Sequence, residues 1–324
     1  MNKINILVDK RLEIISGLVI AYLDLYPNEK EEYDWIETYD SAYIQELIKK
    51  INLSNYPKLI EYIKNIHSCS SYSELFLFFD DDMNILDTPI KENAFSNGKF
   101  TEFANLIKEV YDKENINDIF ITYKNELEKI ERLIQSLFPN NFCIDDLKNF
   151  YNNDQYTYTI TPSITINGGF GFKKNNSLNY LIGIDYKDKS YKFNSSSFII
   201  KLFHEYSHSF INPLVDKYID KFENIDLLLK ECIEYGLPKC YQEKEVLLYE
   251  YFVRANSIIL SSKYIDQMFL KDNIVWFKQL GFVNIDGIIE ITIKNINNYE
   301  DYESFFVNEI IPYINQYMVH SKLI

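Results

Sequence analysis

At 324 residues, with 47% hydrophobic and 16% aromatic side chains, the chain has ample material for a core, which excludes disorder and fits one large domain or two packed lobes. The 33 Lys and Arg against 48 Asp and Glu leave a formal charge of −15. A surface that acidic repels phosphate backbones and anionic lipid, so nucleic acid and membranes are excluded as main partners, although a local basic pocket is not.

Asp9, Lys10, Arg11 and Glu13 interrupt the N-terminus, leaving no apolar run for a signal peptide. No stretch approaches the ~20 apolar residues of a membrane span. The expected location is the cytoplasm, or outside the cell if an export signal has been trimmed away. Ile4–Val8 fits a short strand, after which Leu12, Ile15, Leu18, Val19 and Tyr22 recur at helical spacing. Further helices are expected at Ser41–Ile51, Tyr56–Ile66, Phe100–Tyr111 and Ile116–Leu137, and an apolar strand at Leu75–Phe79. Asp80-Asp81-Asp82-Met83-Asn84 starts like a calcium loop, but Ile85 stands where that loop needs Gly and Lys91 where it needs Glu. A turn is expected instead. The four cysteines, Cys69, Cys143, Cys232 and Cys240, form no CxxC pair and are expected to be buried thiols rather than a disulfide framework.

Near residue 155 the pattern changes. Tyr156, Tyr158 and Ile160 alternate with Thr157, Thr159 and Thr161, which predicts a strand, and Ile164–Ile166 and Tyr180–Ile184 continue it. Gly168-Gly169-Phe170-Gly171 fits a hairpin turn; the other reading of Gly168–Phe172 is an edge strand that holds an extended peptide. Ser195, Ser196 and Ser197 then supply N-cap residues for a helix expected to stop near Asn212, because Pro213 disfavours helical geometry before it. Beyond about residue 217 the chain is expected to be helical, with breaks at Gly236–Pro238 and Gly281.

The helix after residue 195 carries His204-Glu205-Tyr206-Ser207-His208. Two histidines four apart share one helix face and can chelate one ion. Glu205 beside them can take a proton from water and pass it to a leaving amine. The flanking Phe203, Phe210 and Ile211 place this helix in a core, which argues against a solvated face with incidental histidines. A third ligand is needed. Ile211 and Leu214 stand where the extended metzincin motif requires a glycine and a third histidine, and the remaining His67 and His320 fit surface positions. That leaves a downstream glutamate. Glu231 and Glu234 fall on the polar side of their helix, and Glu243 and Glu245 suit a helix first turn without special role. Glu250 interrupts an apolar stripe of Val246, Leu247 and Val253, where a carboxylate is costly unless paired or bound to a cation. Arg254, at i+4, offers an internal ion pair, and the two roles coexist if Arg254 orients Glu250 as a ligand. Asn212, one turn after His208, either faces the site or simply ends the helix.

The run from Phe203 through His204, Glu205, Tyr206, Ser207, His208, Ser209, Phe210, Ile211 and Asn212 to Pro213 resembles the motif region of bacterial proteins grouped as domain of unknown function 4932. Glu250-Tyr251-Phe252-Val253-Arg254-Ala255 is similar to a downstream block of that family, and Val8-Asp9-Lys10-Arg11-Leu12-Glu13 to its N-terminal block. The resemblance implies a zinc metalloprotease and supports Glu250 and Arg254.

Together these features predict an α+β, zincin-like fold of gluzincin type: a small mixed sheet packed on the active-site helix, with mainly helical regions before and after. Residues 1–150 would form a helical N-terminal lobe and 151–324 the catalytic lobe, packed as one unit. The expected activity is hydrolysis of a peptide or related amide bond in a peptide or protein substrate. One Zn2+ would be held by His204, His208 and Glu250, with Glu205 as general base and acid. The alternative is a catalytically silent zinc-containing binding or structural protein.

Overall fold

A computed structural model describes residues 4–33, 35–36, 41–65, 75–86, 99–139, 142, 144–187, 190–192 and 194–320. Strand β1 (Asn5–Ile6) is followed by helices α1 (Lys10–Leu25), α2 (Ala42–Ile51), α3 (Pro57–Lys64), α4 (Lys99–Lys113), α5 (Asn117–Ser136) and α6 (Asp145–Tyr151). Strands β2 (Thr157–Ser163), β3 (Gly169–Lys174), β4 (Ser177–Gly183), β5 (Asp185–Lys187) and β6 (Ser190–Lys192) come next. Helices α7 (Ser195–Tyr218), α8 (Ile225–Glu234), α9 (Lys244–Ser261), α10 (Gln267–Gln279), α11 (Ile285–Asn295) and α12 (Tyr302–Phe305) complete the order, with one π turn at Phe306–Ile310 leading into α13 (Ile311–His320).

The protein is thus a mostly helical α+β fold with a small mixed sheet of order β1-β2-β4-β3, and β5 and β6 form a separate ribbon. Strands β1, β2 and β4 run parallel, and β3 is antiparallel to β4, so β3 lies at an edge. Pro162 is tolerated inside β2 because β1 has already ended: its last bond is Leu7 N–H to the Ile160 carbonyl. No helix among the described residues is long and apolar enough to cross a membrane.

Two helices are central. Helix α1 is capped by Asp9, whose side chain accepts the Arg11 N–H, and it is buried from Leu12 to Leu23. Helix α9 is buried on every side from Tyr251 to Ile258, the mark of a helix enclosed by others. It packs along α7, and α7 in turn lies against β3 and β4. Tyr206 also ties α7 to the sheet: its hydroxyl donates to the Thr159 carbonyl of β2, and its ring meets Tyr158 of β2 and Tyr180 of β4 edge-on.

Several local expectations change. Leu75–Phe78 forms a 3-10 turn rather than a strand, and only Phe79 bridges to Ile85. Leu75 and Phe76 reach the core from that turn, and four consecutive apolar residues carry no periodicity to tell the two forms apart. The acidic segment after it is a turn, as expected: Asp80 Oδ1 accepts from the N–H groups of Asp82 and Asn84. The cap of α7 is Asn194, which accepts the Ser197 N–H, so Ser195 already lies inside the helix. Helix α7 also runs through Pro213 to Tyr218. Ile211, Leu214, Val215 and Tyr218 continue its apolar stripe, while Pro213 faces solvent. Cys232 is buried as expected, and burial pushes its thiol up to about 12, but Cys240 is exposed on the turn Lys239–Tyr241. Cys69, Cys143 and His67 lie outside the described residues, as does the side chain of His320.

One buried charge bears on stability. Glu13 is 0% exposed and faces the end of β2, where Ser16, Ser163 and Thr165 hydroxyls bond one another. Burial pushes its pKa from 4.5 to about 7, against hydrogen bonds from Ser163, Ile164, Tyr43 and Thr165. Between those two values the unfolded chain releases a proton that the folded chain retains. Stability therefore falls as pH rises through this window, by roughly 3 kcal/mol from this group. Glu13→Gln stays neutral and is expected to lack that slope. Its stability relative to the unsubstituted protein should improve between pH 4.5 and 8 in urea titrations, and a pH-independent difference would contradict the assignment.

Candidate metal centre

Helix α7 brings His204 and His208 onto one face, and α9 brings Glu250 opposite them. The two Nε2 atoms are 3.2 Å apart; Glu250 Oε2 lies 3.7 Å from His204 Nε2, and Glu250 Oε1 lies 3.5 Å from His208 Nε2. Ligands about 2.0–2.1 Å from a tetrahedral ion stand ~3.3 Å from one another, which is close to these spacings. The Glu250 Oε2 atom supplies a second sign: it is buried without a hydrogen-bond donor, although Arg254 approaches it at 2.7 Å as an ion pair. A buried carboxylate with one oxygen toward each of two imidazole nitrogens fits a cation. His204, His208 and Glu250 can hold a metal ion, and among the described residues no other trio of His, Cys, Asp or Glu gathers in this way.

His204 and Glu250 hold the protonation states that a metal ligand needs. Burial pushes His204 down to about 3, so its ring is neutral and has a free lone pair. Burial opposes the charge on Glu250, but hydrogen bonding to His208 and the neighbouring Arg254 guanidinium outweigh it and hold the carboxyl at about 2. For His208 burial is likewise outweighed, chiefly by Glu250, and its pKa is raised.

Two of the three candidate ligands, His208 and Glu250, have a partner that fixes their orientation. Asn212 Oδ1 lies 3.1 Å from His208 Nδ1, which leaves Nε2 facing the site. Asn212 can do this because α7 does not end there. Arg254 is clamped over three rings, with its Cζ 4.8 Å from the Phe282 centroid, 5.0 Å from Phe277 and 5.4 Å from Tyr241. The guanidinium thus has a π-lined seat inside the core and directs its charge at Glu250. Glu234, Glu243 and Glu245 are exposed instead.

Glu205 lies on the other flank of the histidines, against β3. Its Oε2 accepts the Gly171 N–H at 2.7 Å. Burial raises its pKa from 4.5 to about 7, opposed by His208 and by that Gly171 bond. Gly171 was not singled out as a site residue by sequence. A Cβ there would lie 2.7 Å from the Glu205 carbonyl oxygen and 2.8 Å from its Cβ. The available signal was two glycines, Gly169 and Gly171, at strand spacing, which leave one strand face bare for a helix to approach. Gly168–Phe172 accordingly belongs to an edge strand and its approach, not to a hairpin turn. Gly171→Ala is expected to cost about 1–3 kcal/mol through overpacking and to displace Glu205. An unchanged thermal midpoint would count against this close contact.

Fold and site together define a mostly helical α+β protein with a His-His-Glu cluster able to hold one metal ion. The profile of the family described as Domain of unknown function (DUF4932) matches residues 77–312, and the chain belongs to that family. The match includes the blocks at 203–213 and 250–255, whereas the block at 8–13 lies outside it. The chain matches no curated protein and no solved structure.

Proposed function

We propose that this protein is a zinc-dependent peptidase with a gluzincin-type, zincin-like fold, hydrolysing a peptide or related amide bond. The observation that carries this reading is the convergence of two imidazole nitrogens and one carboxylate at 3.2–3.7 Å, with a second carboxyl, Glu205, beside them. Two nitrogen donors favour zinc over magnesium or calcium, and three protein ligands rather than four leave a position open for chemistry. Zinc bound there would supply a Lewis acid that brings the pKa of water near ~7.

The chain's own residues do the rest. Glu205, with a pKa of about 7, accepts a proton from the attacking water at its carboxyl and returns it to the departing amine. The Gly171 N–H holds that carboxyl in place. The open edge of β3 can take an extended peptide by main-chain hydrogen bonds, laying the scissile bond beside Glu205. An acidic exterior makes a peptide or protein, rather than nucleic acid, the expected substrate.

Emission spectroscopy on purified protein, combined with cleavage of a mixed peptide library, tests this. About one equivalent of zinc with cleavage is expected. Zinc far below one equivalent would leave Glu250 and Arg254 as a simple ion pair and sink the reading. Zinc without cleavage would leave a silent binding protein.

A further inference from the structure

Glu205, Ser209 and Pro213 recur every fourth residue, so they form one stripe along α7, each about 6 Å beyond the last. Along β3, Gly171 faces Glu205, and Lys173, two residues on, returns to the same side of the strand. Starting one helical turn past Glu205 lies a cavity of about 420 Å³, walled by α7, the α6–β2 connection and the start of α12, with Lys173 the one residue of β3 that lines it. That volume is within the range of ligand pockets and larger than one side chain needs. Tyr156, Phe210, Pro213 and Leu214 line it with apolar surface, and the Tyr156 and Phe210 rings meet edge-on at 5.5 Å.

The charges around this cavity are unequally committed. Lys217 pairs with Glu303 at 2.6 Å, and Glu303 also accepts the Tyr218 hydroxyl. Asp301 caps α12, accepting the Ser304 N–H at 2.7 Å and the Ser304 hydroxyl at 3.0 Å. Lys173 differs: its Nζ donates to the Tyr156 hydroxyl at 2.7 Å and sits 4.6 Å from that ring's centroid. No ion pair joins it to a carboxylate among the described residues. In a chain of net charge −15, an exposed cation left without a carboxylate beside a cavity of mixed polar and apolar lining can act as a recognition element.

We propose that this cavity receives a substrate side chain next to the scissile bond, and that Lys173 selects an acidic one. This rests on the peptidase reading for its position, since a peptide laid along β3 projects alternate side chains toward α7 every ~6–7 Å. The methylene groups of a Glu side chain meet Tyr156 and Leu214, and its carboxylate replaces solvent around the Lys173 ammonium.

The test is binding rather than turnover. Alanine-based decapeptides carrying a single Glu, Gln or Lys at each position in turn are titrated by fluorescence polarisation against Glu205→Gln protein, alone and combined with Lys173→Glu or Lys173→Met. At one position the Glu peptide is expected to bind about fivefold tighter than its Gln counterpart, the scale of one partly exposed ion pair. Lys173→Glu should reverse that preference toward a Lys peptide, and Lys173→Met should abolish it. Equal binding of Glu and Gln peptides at every position, a preference unchanged in Lys173→Glu, or no peptide binding at all would overturn the proposal. A Lys173-dependent preference in a protein whose Glu205 form cleaves nothing would instead fell only the peptidase reading.

Discussion

Glu205→Gln is expected to lower peptide turnover by about a thousandfold while zinc content stays at about one equivalent, the scale of losing a general acid–base group. The amide keeps an oxygen for the Gly171 N–H, so the close contact of α7 with β3 survives. What it loses is the capacity to hold and release a proton near neutrality, which burial confers on the Glu205 carboxyl. The proposed ligands His204, His208 and Glu250 are untouched. Comparable turnover by the two proteins would remove Glu205 from the mechanism. Loss of zinc along with activity would show instead that Glu205 supports the site rather than the chemistry.

Arg254→Met carries the second large effect, and its sensitivity to metal makes it informative. Arg254 and Glu250 have side chains 9% and 13% exposed, so removing the guanidinium leaves a buried carboxylate without its neighbouring charge. Breaking such a pair typically costs 3–5 kcal/mol, and with this residual exposure about 3 kcal/mol is expected in chelator-stripped protein. With zinc present, Glu250 retains a cation, so the loss should be markedly smaller. Denaturant titrations of both forms, with and without zinc, give the comparison. An identical loss in the two forms, with zinc demonstrably bound, would exclude Glu250 as a ligand. Arg254→Lys should fall between, since an ammonium keeps the charge but not the planar seat over Tyr241, Phe277 and Phe282.

What could be read from sequence was whatever depended on local periodicity. Histidines four apart on a helix meet wherever that helix packs, so His204 and His208 needed no tertiary knowledge. Glu250 was legible because it broke an apolar stripe, and the structure turns it toward both histidines. The family assignment likewise rested on contiguous blocks, two of which lie within the matched residues 77–312. Features that depend on neighbours far along the chain were lost. The Gly168–Gly171 segment looked like a turn because glycine is common in turns; its glycines in fact admit a helix that begins 24 residues later, at Ser195. The ring seat of Arg254 is assembled from Tyr241 and from Phe277 and Phe282, which flank the helix end at Gly281, and no spacing rule connects these to Arg254. Helix α7 was cut short at Asn212 because the rule for proline is statistical, and an outward-facing Pro213 on a helix packed by Ile211, Leu214 and Val215 escapes it.

That same Pro213 has a dynamic consequence. Lacking an N–H, it deprives the Ser209 carbonyl of its i→i−4 donor, so the ladder of α7 is interrupted one residue after His208. The two halves are also anchored differently: the first by Tyr206 to β2 and by the α9 contact, the last turn by Lys217 and Tyr218 to Glu303. Helix α7 is therefore built to open in two cooperative units rather than one. In amide exchange, residues 214–218 should lose protection while 202–208 keep it, so fraying of the helix end stops short of the histidines.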